Sequence, residues 1–190
     1  MRVAIETLAR HITSHSTATA ALNAWCANRM ARQHGSIVAR VLADEDADPA
    51  SYSGSLTIGD GEQLRYRKVA LVWGDTTVSE AENWYLPNRL PPGMRTQLLS
   101  SNLPFGQVVR DLQPQRTPVA IYANDDLEKG GLGRAHCINR LERVGGFSPL
   151  KSFVLHISAV LTAAVSGLAI AEVHEHYRRE LIDAVALEAA

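Results

Sequence analysis

Residues Leu64 to Trp73 alternate in a way that suits an extended strand, with Arg67, Val69, Leu71 and Trp73 on one face. A Gly74-Asp75 turn leads into a second run from Val78 to Leu86, and Pro87, Pro91 and Pro92 end it. Two strands joined by so short a link predict an antiparallel hairpin. Phe153 to Val173 is nearly free of charge over about the length of a bilayer span. It is also rich in β-branched residues, broken at Ser166-Gly167, and flanked by His156 and Glu172. That pattern predicts two buried strands, Phe153–Ala163 and Leu168–Tyr177, and no membrane span.

Helical spacing is clearest after Ser16-Thr17, either of which suits an N-cap. Ala18, Leu22, Trp25 and Met30 predict a helix from Ala18 to Gln33, ended by Gly35. Ser36–Leu42 reads as a strand and the acidic stretch Asp44–Ser55 as an exposed connection. Shorter elements are expected at Leu56–Ile58 and Pro118–Tyr122 (strands), and at Met94–Leu99, Phe105–Leu112 and Arg178–Leu187 (helices). Asn124–Gly146 is rich in glycine and charge and reads as surface. A helix, a run of mostly antiparallel strands and small helices make the fold class α+β, in one domain over residues 1–190.

Composition narrows the setting. An apolar content of 46% suits a globular domain, and a formal net charge of −1 gives no general attraction to nucleic acid or anionic membrane. Cys26 and Cys137 form no C-x-x-C pattern, and Arg2, Glu6 and Arg10 interrupt any leader-like stretch. The expectation is a cytoplasmic protein with reduced thiols.

Two charged residues stand out on apolar strand faces. Arg67 cannot shed its charge, so it needs a substrate carboxylate, an internal Asp or Glu, or a route to the surface. Glu172 shares a face with Ile170 and His174 and is a candidate to move a proton or hold a hydroxyl; a salt bridge is the structural alternative. Glu175 points the other way and is the weaker candidate. His174 and His176 form an H-x-H pair, and His11 and His15 stand one helical turn apart if that segment is helical, but neither pair has the further ligands a zinc site needs. Gly130-Gly131-Leu132-Gly133 lacks the Lys-Ser/Thr of a phosphate loop.

Several of these segments resemble the chorismate lyase family and its bacterial chorismate-lyase-like relatives. The resemblance rests on Ser16-Thr17-Ala18-Thr19, on Tyr66 to Leu71, on Asn83-Trp84-Tyr85-Leu86-Pro87, on Leu103-Pro104-Phe105-Gly106 and on Gly167 to Val173. It implies a six-stranded antiparallel sheet with helices packed on it and an enclosed pocket shared by Arg67 and Glu172. Arg67 would bind a carboxylate and Glu172 the ring hydroxyl, with Ala18 and Phe105 as pocket wall and Arg116 at a position often basic. Asn83 stands where authentic lyases carry a second arginine.

The activity so implied is metal-independent and cofactor-free release of pyruvate from chorismate to give 4-hydroxybenzoate, a step toward ubiquinone. The alternative is a non-catalytic binder of a small aromatic or carboxylated ligand on the same fold. Too few residues precede Ser16 for a DNA-binding domain, which favours an enzyme or a free-standing binder over a sensor.

Overall fold

The computed structural model describes residues 2–30, 35–123 and 152–186. Helix α1 (Arg2–Thr13) and helix α2 (Ala18–Arg29) come first, then strand β1 (Val38–Ala47), strand β2 (Leu64–Trp73) and strand β3 (Thr76–Tyr85). Helix α3 (Pro92–Ser100), the single-turn helix α4 (Phe105–Val108) and strand β4 (Gln115–Ala123) follow. Strand β5 (Phe153–Thr162), strand β6 (Ala169–Arg178) and helix α5 (Glu180–Ala186) close the fold. The six strands form one antiparallel sheet in the order β1-β2-β3-β6-β5-β4. The fold is α+β, as the order of elements predicts.

One sheet face carries the helices. Ile5, Leu8 and Ile12 of α1 and Leu22 and Trp25 of α2 share a buried cluster with Val69, Leu71, Trp73, Ile157 and Tyr177. The Trp25 indole N–H donates to the Leu181 carbonyl at 3.0 Å, which fixes α5 to α2. Leu98, Phe105 and Val108 of α3 and α4 cover the remainder of this face, against Tyr85, Leu161 and Val173. Over the other face the connection between β1 and β2 lays Tyr52, Leu56 and Ile58 against Leu64, Trp84 and Val160.

The strong hairpins match expectation closely, and the departures have physical causes. Strand β1 runs on through Asp44–Ala47, because Asp44 pairs with Arg67 and Asp46 with Arg65 across the ladder. Arg65 binds Asp44 at 2.7 Å and Asp46 at 2.8 Å, so charge pairing holds an acidic stretch of poor strand propensity in the sheet. Leu56–Ile58 is not a strand; it packs as part of the covering connection. The expected helix Phe105–Leu112 is one α-turn followed by a 3-10 turn at Arg110–Leu112. Strand β4 extends to both sides of Pro118, which sits beside a bulge on an edge strand, where its missing N–H costs no ladder bond. The glycine-rich segment, Cys137 and the ends expected at Gln33 and Leu187 lie outside the described residues.

No helix among the described residues is long and apolar enough to cross a membrane.

Candidate functional site

Directly paired residues of an antiparallel sheet share a face. Arg67 pairs with Asn83, and Asn83 with Val173. Tyr66 pairs with Trp84, and Trp84 with Glu172. The two rows are adjacent, so Arg67 and Glu172 project from opposite faces. This corrects the expectation that they share one enclosed space.

On the helix side, a cavity lies between the sheet and the first turns of α2 and α4. Thr17, Ala18 and Thr19 form one wall, Pro104, Phe105 and Gly106 another, and Asn83, Leu161, Val173 and Glu175 line the sheet side. The sequence brings α2 here by its cap: Thr17 is extended, and its hydroxyl accepts the Ala20 N–H at 3.2 Å. Gly106 lets α4 come close, since a Cβ there would stand 2.7 Å from Cβ of Thr17. The atom-free space is about 370 Å³ counting the mouth, yet only about 20 Å³ can take the centre of a water molecule. In this conformation the cavity holds about one water.

Three residues carried over from the resemblance, Ala18, Asn83 and Phe105, therefore line one cavity. Its buried carboxylate is Glu175. That side chain is ion-paired to Arg116, and its Oε2 also accepts the Tyr177 hydroxyl at 2.7 Å. Burial would weaken the Arg116 charge, but the Glu175 carboxylate beside it outweighs that and holds the guanidinium firmly protonated. Tyr177 is pushed well above the ordinary phenol range, by burial first and by Glu175 second. Among the described residues, Glu175 Oε1 accepts no hydrogen bond.

Arg67 is fully buried and does not line this cavity. Its guanidinium donates to the Leu98 carbonyl, to those of Ser101 and Leu103 at 3.3 Å each, and to Asp44 at 3.4 Å. It thus takes the internal partner weighed as an alternative, and it ties the C-terminal end of α3 to the sheet. Cations are favoured at that end of a helix. Asn83, which lines the cavity, donates through Nδ2 to the Arg67 carbonyl at 3.2 Å.

Glu172, on the other face, accepts from the Tyr52 hydroxyl, the Ser55 N–H and His174 Nε2, the last at 2.6 Å. Burial alone would raise its pKa, but these three donors bring it down to about 2. It is therefore an ionised carboxylate at neutral pH, poorly suited to donate a proton. Gly54 leaves no room for a side chain between Tyr52 and Glu172. His174 lies edge-on to Trp84, with ring centroids 5.1 Å apart. Further along, the Nδ1 atoms of His156 and His176 are 2.6 Å apart, and burial lowers both, His156 to about 4. His11 and His15 lie on and just after α1, where each ring bonds a backbone carbonyl. Among the described residues no group of three or more His, Cys, Asp or Glu side chains is placed to hold a metal ion.

Glu175 was the carboxylate undervalued in the sequence. The usable signal was its alternation with Val173 and Tyr177, two residues whose face packs under the helices.

No protein-family model matches the chain. The uncharacterized protein y4mC of Sinorhizobium fredii is 36% identical over 115 residues, which is 60% of this chain and 48% of that protein. The chain thus spans about half the length of this curated relative. Among solved structures, the ligand-binding domain of a proposed GntR-family transcriptional regulator from Bordetella bronchiseptica has a TM-score of 0.48 at 12% identity, over 78% of this chain and 86% of that one. The effector domain of PhnF from Mycobacterium smegmatis has a TM-score of 0.47 at 14% identity, over 76% and 82%. At TM-scores below one half these likenesses assign no function.

Proposed function

We propose that the chain is a non-catalytic binder of a small aromatic or carboxylated ligand, which enters the cavity between α2, α4 and the sheet. The observation that carries this reading is the cavity's lining: apolar walls from Phe105, Leu161 and Val173, with a few polar groups converging from separate elements. Helix termini leave N–H groups without partners, and at α2 those of Ala18 and Thr19 remain so among the described residues after Thr17 caps Ala20. They favour a ligand carboxylate. Glu175 Oε1, its charge balanced by Arg116, favours a hydroxyl or amine donor at the other end. Entry of an aromatic ring requires Phe105 and α4 to move outward, since the closed cavity is water-sized.

The lyase reading needs a cation and Glu172 around one substrate. Arg67 is engaged by carbonyls and Asp44 on one face, and Glu172 is held ionised on the other. That geometry favours binding over chemistry.

The test is calorimetric titration with 4-hydroxybenzoate beside a coupled pyruvate assay on chorismate. Measurable binding with pyruvate no faster than spontaneous decay is expected. Enzymatic pyruvate release that Glu172→Gln abolishes would overturn the proposal.

A further inference from the structure

We infer that a second cleft, beside α3 and separate from the cavity above, binds a small organic anion between Arg65 and Arg95. The cleft is lined by Asp46, Gln63, Arg65, Tyr85, Arg95 and Leu99, with prolines at its rim. It is open and roomy: about 850 Å³ of atom-free space counting the mouth, of which about 420 Å³ can take the centre of a water molecule. A benzoate-sized molecule fits without any movement of the chain.

Charge points to the sign of the occupant. Two guanidinium groups line it, those of Arg65 and Arg95, against the carboxylate of Asp46, with the buried Arg67–Asp44 pair behind Arg65. Asp44 is mostly buried and shared between Arg65 and Arg67. Asp46 is different: its side chain is 81% exposed, so its pairing with Arg65 is weak and easily exchanged. Arg95, half-buried on the first turns of α3, makes no ion pair among the described residues. An incoming carboxylate or phosphate would take the Arg65 bond that Asp46 now holds and add a second from Arg95. Guanidinium forks suit both anions. The exposed Leu99 gives the rest of the ligand an apolar surface. Asp46 is thus a built-in competitor for the site.

The experiment is calorimetric titration of the whole chain with benzoate and, separately, phenyl phosphate. The two arms distinguish a carboxylate from a phosphate ligand. Arg95→Ala should weaken binding by about tenfold, the scale of one charge-assisted hydrogen bond. Asp46→Asn should tighten it by about threefold, since an exposed ion pair is worth little. Arg95 makes no ion pair among the described residues and Asp46 is exposed, so both variants should fold, which circular dichroism checks. Asp60→Asn, exposed on the turn before β2 and in neither cavity, should leave this affinity unchanged. Equal affinities in the wild type, Arg95→Ala and Asp46→Asn would overturn the inference, as would no binding of either probe at millimolar concentration.

Discussion

Arg67 and Glu172 stand in adjacent cross-strand rows of the same sheet, one paired through Asn83 and the other through Trp84, and so face opposite sides. The separation divides the molecule's buried polar groups into two sets. Arg67 braces α3 on the helix face, and Glu172 anchors the β1–β2 connection on the other through Tyr52 and Ser55.

Arg67→Ala is therefore expected to act on stability. It would leave the carbonyls of Leu98, Ser101 and Leu103 without their donor and remove one of two cations from Asp44. Stranding buried acceptors costs about 3 kcal/mol. Urea unfolding of both forms measures it, and a loss below about 0.5 kcal/mol, the range of an ordinary surface change, would contradict the bracing role.

How much of this was legible in the sequence follows from burial. The hairpin of β2 and β3 was readable because proline and glycine punctuate it. Strand β6 is buried on both faces along nearly its whole length, so alternation there is faint, and only Val173 and Tyr177 on either side of Glu175 mark the face under the helices. Register across strands also shifts at bulges, between Leu71 and Val72 and between Leu161 and Thr162, and a period-2 pattern does not show them. Asp44 to Ala47 looked like loop because the arginines that hold it in the sheet lie some twenty residues away. Ile5, Leu8 and Ile12 repeat at helical spacing, and the structure places α1 there with all three buried.

Acid should destabilise the fold in two stages. His156 is held at about 4 in the folded state against an ordinary 6.5, so between these values the unfolded chain binds more protons. Stability therefore falls as pH drops through that window, by at most about 3 kcal/mol from His156. His176 acts in the same direction, through burial first and then the neighbouring positive charges. Glu172, lowered to about 2 from 4.5, adds stability above pH 4.5 that is lost as pH falls toward 2. Urea midpoints measured from pH 8 to 3 in the wild type and His156→Gln should differ in slope between about pH 4 and 6.5 and run parallel on either side of that window. Parallel curves throughout would rule out the histidine contribution.

Gly106→Ala should destabilise the chain by roughly 1–3 kcal/mol, the cost of overpacking, because the new methyl meets Thr17 at the base of α2. Thermal unfolding would read this directly. An unchanged melting temperature would mean that α4 does not press on α2.

Cys26 is buried, and burial pushes its thiol up to about 12. Its peptide, followed by mass spectrometry, should stay unlabelled by a thiol reagent in the native chain and react fully in urea. Rapid native labelling would contradict the packing of α2.

A ligand that enters under α2 and α4 would perturb the backbone at the first turns of both helices. Amide chemical-shift mapping in solution during titration with 4-hydroxybenzoate tests it most directly. The amides of Ala18, Thr19 and Gly106 should shift in a saturable way while those of Ser55 and Leu56, beside Glu172, stay in place. Shifts centred on Ser55 and Leu56, or none at Ala18, Thr19 and Gly106, would contradict it.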